Sequence, residues 1–169
     1  MTRSRPALSA SLRFYAIALG VVAVDQITKI IARNSLAVDR PVRVIPGIFD
    51  LRLSYNTGAA FGVLPDWTPL FVLVALIAIY AIVRMRRTDG GSGATSVGLG
   101  LLLGGAVGNL VDRLLSPSRG VTDFLDFHIS LQGRTHAWPT FNIADVAIVI
   151  GAIIVLFSVY VVERRRTAT

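Results

Sequence analysis

Phe141-Asn142-Ile143-Ala144-Asp145 opens a stretch that is almost wholly apolar as far as Val162. About twenty apolar residues is the length of a helix that crosses a bilayer. This stretch therefore decides the fold class, and the aspartate at its head poses the chemical question, because a carboxylate there is costly to keep. A second acidic turn, Val121-Thr122-Asp123-Phe124, lies upstream in the chain.

Three further runs have the same apolar character. Residues 14–31, 68–84 and 97–115 join 143–162 as four expected transmembrane helices in a single membrane-embedded domain over 1–169. The first run follows basic residues like a secretory signal, but no small-residue cleavage site follows and more spans come later, so it reads as a retained helix. Composition agrees with a membrane protein. Of 169 residues, 53% are hydrophobic, and the mean hydropathy is +0.64, too apolar for an ordinary soluble domain. The absence of cysteine excludes disulfides and thiolate chemistry.

The net charge of +7 is nearly all arginine, Lys29 being the only lysine. A basic chain can bind nucleic acid, but here the arginines bracket apolar runs, which is the pattern of membrane topology. Arg3, Arg5 and Arg13 precede the first span, Arg84, Arg86 and Arg87 follow the second, and Arg164, Arg165 and Arg166 follow the fourth. These tight clusters fall on one side and make both termini cytoplasmic. Arg33, Arg40, Arg43, Arg52, Arg119 and Arg134 lie on the other side, so orientation rests on the clusters at helix ends.

The loops at about 34–67 and 116–141 are then extracytoplasmic. The cytoplasmic connection, Thr88-Asp89-Gly90-Gly91-Ser92-Gly93, reads as a plain flexible link. In the first outer loop, Val42–Ile45 and Phe49–Tyr55 alternate apolar and polar residues around Pro46-Gly47. This predicts a small extracytoplasmic β-sheet within about 42–65.

Polar residues inside the spans gather toward one end. Asp25 and Lys29 stand four apart in the first span and suit a structural ion pair. In the third span Ser96, Gly100, Gly104, Gly108 and Asp112 recur every four residues, with Gly105, Asn109 and Arg113 as the adjacent row. The glycines make a close-packing face, and Asn109, Asp112 and Arg113 crowd its outer end. Asn142 and Asp145, three apart, suit helix capping, yet they reach the same depth as the polar end of the third span. Asp126 stands three residues beyond Asp123 and competes with it on sequence grounds.

Two carboxylates held close in low dielectric cannot both ionise easily, so one becomes an acid and the other a base. Such a pair activates water against a peptide carbonyl without metal or nucleophile. His128 and His136, eight apart with no cysteine near, do not make a zinc pattern, and no serine has a nucleophile context.

Asp25-Gln26-Ile27-Thr28-Lys29, Asn56-Thr57-Gly58-Ala59-Ala60-Phe61, Gly104-Gly105-Ala106-Val107-Gly108-Asn109-Leu110-Val111-Asp112-Arg113, Val121-Thr122-Asp123-Phe124 and Phe141-Asn142-Ile143-Ala144-Asp145 resemble, in this order, the motifs of lipoprotein signal peptidases (signal peptidase II). The resemblance runs from the first span to the last. It implies an α-helical membrane protein with four transmembrane helices, an aspartic endopeptidase of the bacterial inner membrane. Such an enzyme removes the signal peptide from diacylglyceryl-modified prolipoproteins, cutting just before the lipid-bearing cysteine. It implies Asp123 and Asp145 as the catalytic dyad. It implies Asp25, Lys29, Asn56, Gly58, Gly108, Asn109, Asp112, Arg113, Asn142 and Ala144 as residues that bind substrate or organise the site. No metal or cofactor is implied, nor nucleic acid; the partners are the prolipoprotein and membrane lipids, and the chain is expected to act as a monomer near the extracytoplasmic surface. The alternative is a proton-coupled small transporter or membrane scaffold, which would spread its charges along a path through the bilayer.

Overall fold

The computed structural model of the protein describes residues 6–38, 40–58, 67–88, 93–131 and 134–167. Arg3, Arg5, the Asp89–Ser92 part of the connection read as a link, and Ala59-Ala60-Phe61 with the rest of 59–66 lie outside the described residues. Among the described residues are four helices long and apolar enough to cross a membrane. They are α1 (Pro6–Ser35), α2 (Thr68–Thr88), α3 (Gly93–Leu115) and α4 (Ile143–Thr167). Pro6 stands at the first position of α1 and Pro69 in the first turn of α2, where a missing N–H costs no helical hydrogen bond.

α3 is the central helix. Of its apolar window 56% is buried, against 11–28% for the other three. Its glycines explain why. A Cβ on Gly104 would stand 2.6 Å from Val21 Cβ and 2.8 Å from the Ala18 carbonyl of α1. A Cβ on Gly105 would collide with the Ala144 carbonyl of α4, and one on Gly98 would meet Val155 at 2.8 Å. Bare backbone thus lets α3 approach α1 on one side and α4 on the other, and close approach drives helix association in lipid. Phe14, Ala18, Ile82, Leu99, Leu103 and Val155 form the buried core, with Ile79 and Val83 of α2 packed against it. Leu12, Leu19, Tyr80 and Leu156 are more than two-thirds exposed, an apolar periphery suited to lipid contact rather than water.

The four helices carry a four-stranded antiparallel sheet in the order β1 (Val42–Ile45), β2 (Phe49–Asn56), β3 (Val121–Leu131), β4 (Arg134–Ala137). β1 and β2 form a hairpin closed by Ile48 N–H to the Ile45 carbonyl at 3.0 Å, with Gly47 at φ +78° in the turn. The segment at 116–141, read as loop from sequence, supplies β3 and β4. Leu125-Asp126-Phe127-His128-Ile129-Ser130-Leu131 alternates strictly between apolar and polar, the period of a strand.

One joint ties the sheet to the head of α4, and one close approach sets the start of β3 against β2. Phe124 and Leu125 N–H both donate to the Phe141 carbonyl, and Phe141 N–H donates back to the Leu125 carbonyl at 3.0 Å. The lead-in to α4 is therefore stitched to the middle of β3. At the other end of the β2–β3 pairing, Gly120 at φ +71° lets the chain pass against the Asn56 carbonyl, which any Cβ would strike.

Candidate active site

The start of α4 is built as a reciprocal cap. Asp145 N–H donates to Asn142 Oδ1 at 3.0 Å, and Asn142 N–H donates back to Asp145 Oδ2 at 3.1 Å. This is the capping-box arrangement, so the capping role expected for Asn142 and Asp145 is real. It does not exhaust either residue. Asn142 Nδ2 donates to Asp123 Oδ1 at 2.6 Å and to Asn109 Oδ1 at 3.1 Å. Asn109 Nδ2 in turn donates to Asp145 Oδ1 at 2.8 Å. The cap asparagine therefore contacts both carboxylates, one from β3 and one from its own helix.

β2 completes the surroundings of Asp123. A bulge between Leu51 and Ser54 shifts the pairing so that Ser54 lies opposite Asp123 and Asn56 opposite Val121. Asn56 Nδ2 lies 3.4 Å from Asp123 Oδ2, while its Oδ1 accepts from Gly58 N–H at 3.1 Å. Gly58 returns its carbonyl to Arg113 Nη2 at 3.4 Å. Arg113 also reaches the Asn109 carbonyl and lies 5.5 Å from the Phe71 ring centroid.

Beneath this layer lies a buried ionic network. Lys29 Nζ is 2.8 Å from Asp25 Oδ2, 3.3 Å from Asp112 Oδ2 and 3.0 Å from Asn109 Oδ1, with its side chain fully buried. Asp25 Oδ1 accepts from Ala144 N–H at 2.9 Å, an acid placed on the positive end of α4. Asp112 Oδ2 accepts from Thr122 N–H at 2.8 Å, which fixes the start of β3 against α3. Gly108 leaves room for Asp25: a Cβ there would be 2.6 Å from Asp25 Oδ2. Buried charges are tolerable only when paired and hydrogen-bonded throughout; here Lys29 joins the two acids, Asp25 holds the start of α4, which carries Asp145, and Asp112 holds the start of β3, which carries Asp123.

Asp123 and Asp145 line one cavity of about 320 Å³, with Asn56, Gly58, Asn109 and Arg113 beside them. Val121, Trp138, Pro139, Thr140, Phe141, Ile148 and Val149 complete the wall. Burial pushes the Asp123 carboxyl up to about 7, and the nearby Asp145 charge adds to the rise; the hydrogen bonds from Asn142 and Asn56 and the Lys29 charge oppose it. Near neutral pH the Asp123 carboxyl is therefore partly protonated.

Of the residues expected from sequence, Asp123, Asp145, Asn56, Gly58, Asn109 and Arg113 meet at the cavity. Asp25, Lys29, Gly108, Asp112, Asn142 and Ala144 form the layer that holds them. Asp126 does not line this cavity; strand alternation turns it to the other face of β3, where it pairs across to Asp50. Sequence reasoning gave no role to Gln26, which donates to Asp25, to the Gly108 carbonyl and to Asp112. It also missed Thr122, whose hydroxyl accepts from Arg33 Nη1 at 2.9 Å. Both sit inside the quoted motifs, beside a charged residue, and that adjacency was the available signal.

A sequence model described as Signal peptidase (SPase) II matches residues 17–161. The lipoprotein signal peptidase of Oleidesulfovibrio alaskensis is 45% identical over 86% of this chain and 93% of its own length. That of Symbiobacterium thermophilum is 37% identical over 90% of this chain and 97% of its own. Two solved structures described as bacterial membrane enzymes are each 32% identical. One superposes with a TM-score of 0.76 over 87% of both chains, the other with 0.74 over 86% of this chain and 91% of its own. The chain therefore belongs to the signal peptidase II family and is a multi-pass bacterial membrane peptidase.

Proposed function

We propose that this peptidase is of the aspartic type and removes the signal peptide from diacylglyceryl-modified prolipoproteins, cutting on the N-terminal side of the lipid-bearing cysteine. The observation that carries the reading is the meeting of Asp123 and Asp145 in one cavity, with Asn142 bonded to both. The pair shares one proton, and Asp123 holds it. Asp145 takes a proton from a water as the water oxygen attacks the scissile carbonyl carbon. Asp123 gives its proton to the carbonyl oxygen. On collapse the C–N bond breaks, the leaving nitrogen takes the proton from Asp145, and a hydroxyl of the tetrahedral intermediate returns one to Asp123. Asn56, Asn109 and Asn142 orient the carboxylates. Arg113 and Gly58 face the same cavity from the α2 side and are suited to hold the peptide backbone.

The cavity wall suits a lipid-anchored substrate. Ile148 and Val149 lead from the polar floor onto an exposed apolar strip of α4 that includes Ile153, Leu156 and Phe157. A peptide whose acyl chains stay in the bilayer can reach the dyad along this strip. The site lies at the C-terminal end of α3 and the N-terminal ends of α2 and α4, opposite Arg84, Arg86 and Arg87 at the end of α2. With the arginine clusters cytoplasmic, the site faces the extracytoplasmic side and both termini face the cytoplasm. The buried charges gather at this end rather than along a path through the bundle, which disfavours a transporter.

The test uses purified protein and a diacylglyceryl-modified precursor. Asp145→Asn is expected to lower the cleavage rate by about 10³-fold or more, and the unlipidated precursor to be cut far more slowly than the lipidated one. Near wild-type cleavage by Asp145→Asn would sink the aspartic mechanism. Equal rates on the two precursors would sink the substrate assignment.

A further inference from the structure

On the face of β3 away from the cavity lies a second constellation of metal-ligating groups. Asp50 of β2 stands directly opposite Asp126 of β3, and His128 follows Asp126 by two residues, on the same face of the sheet. One ligand atom from each of the three lies within 4.8 Å of the others. Asp50 is 7% exposed and Asp126 2%. Asp50 Oδ1 and Asp126 Oδ2 are both buried without a hydrogen bond. Arg52 Nε lies 2.9 Å from Asp126 Oδ2, but not in the alignment of a hydrogen bond, and its side chain is 49% exposed.

Two carboxylates facing each other across a strand pair repel, and buried oxygens left without donors are costly. Nearly all such groups in folded proteins have hydrogen-bond partners; Asp50 Oδ1 has none and Asp126 Oδ2 has only the misaligned Arg52 ion pair, which calls for an explanation. A proton shared between the acids would relieve the repulsion. It would not use His128, nor supply a donor to both oxygens. One divalent cation satisfies all three side chains together.

We propose that Asp50, Asp126 and His128 form a structural site for a divalent transition-metal ion of the zinc class. An imidazole nitrogen beside two carboxylates suits zinc better than calcium or magnesium, which prefer all-oxygen shells. Zinc bonds of about 2.0–2.2 Å place ligand atoms no more than about 4.4 Å apart, so the group closes on an ion with small side-chain rotations. Arg52, half in solvent, is the counter-charge that the ion displaces. The ion clamps β2 to β3. These strands carry Asn56 and Asp123 farther along, so it stiffens one wall of the cavity without touching it. The pairing was not legible from histidine spacing, because His136 lies opposite Ile129 on β4 and the other two ligands are acids from two strands.

The full-length protein, purified without a histidine tag and stripped with chelator, is titrated with zinc chloride by calorimetry and with cobalt chloride by visible absorbance. The expected result is one equivalent bound, cobalt d–d bands, and a rise in Tm on adding zinc. His128→Ala, a change at the half-buried member of the group, weakens binding by roughly tenfold or more and removes the zinc-dependent rise in Tm. Asp126→Asn does the same. Arg52→Gln binds zinc more tightly than wild type, because the competing cation is gone, whereas His136→Ala and Asp123→Asn bind like wild type. Unchanged affinity in both His128→Ala and Asp126→Asn would overturn the site, as would loss of binding in Asp123→Asn, which would put the ion in the cavity. Tighter binding in Arg52→Gln separates this site from an ion pair that merely needs Arg52. Because the readouts are binding and melting, the outcome is independent of the cleavage mechanism.

Discussion

Strand β3 carries two buried aspartates three residues apart, and their surroundings differ. Asp123 receives donors from Asn142 and Asn56 and shares a cavity with Asp145. Asp126 faces another acid, Asp50, and keeps a buried oxygen without a hydrogen bond. The first acid is held by asparagines, which donate hydrogen bonds without adding a charge that would fix its protonation state. The second sits in a negative pocket with one exposed arginine, an arrangement for holding a cation. Burial alone does not distinguish them, since both are 2% exposed. The neighbours place one in the cavity beside Asp145 and the other on the opposite face of the sheet, and the proposed acid–base role rests on that difference.

The comparison can be broken first through the buried layer under Asp123. Replacing Lys29 with Met leaves Asp25 and Asp112 facing each other in the bundle interior. Loss of one partner of a buried ion pair costs about 3–5 kcal/mol, so thermal melting is expected to show severe destabilisation, and cleavage is expected to fall with it. A normal melting curve would mean that the network does not hold α1, α3 and α4 together as described.

A smaller effect sharpens the chemistry. Asp123 holds its proton up to about pH 7, so its acid form, and with it cleavage, is lost as pH rises above neutrality. The Asn56 hydrogen bond favours the charged carboxylate. In Asn56→Ala that stabilisation is gone, Asp123 holds its proton more tightly, and the alkaline limb of kcat/KM moves to higher pH. A limb that moves down, or does not move, would contradict the assignment of the proton to Asp123. For the dyad this limb reports the pair's apparent constant.

The spans were legible because membrane helices need long apolar runs and little else. Motif positions on α1, α3 and α4 were legible because a four-residue spacing puts side chains on one face. The choice of Asp123 over Asp126 was not legible from the residues alone. It depends on which face of a strand turns inward, and β3 was itself hidden inside a segment read as loop. Its alternation from Leu125 to Leu131 was visible, but its pairing with β2 spans the whole of α2 and α3 in sequence. The bulge that places Ser54 opposite Asp123, the Thr122 link to Asp112 and the cavity wall at Trp138–Phe141 depend on that pairing in the same way. Local pattern revealed the helices and their polar ends; the register of distant strands decided which acid serves the cavity.

In the proposed mechanism Asp123, and not its neighbour on the same strand, is the reacting acid. Side-by-side cleavage of a diacylglyceryl-modified precursor by Asp123→Asn and Asp126→Asn, each shown to be folded by its melting curve, tests it most directly. Asp123→Asn is expected to lose about 10³-fold or more, and Asp126→Asn to keep a rate within roughly tenfold of wild type, because its effect reaches the site only through the sheet. Near wild-type cleavage by Asp123→Asn, or abolition of cleavage by a folded Asp126→Asn, would contradict it.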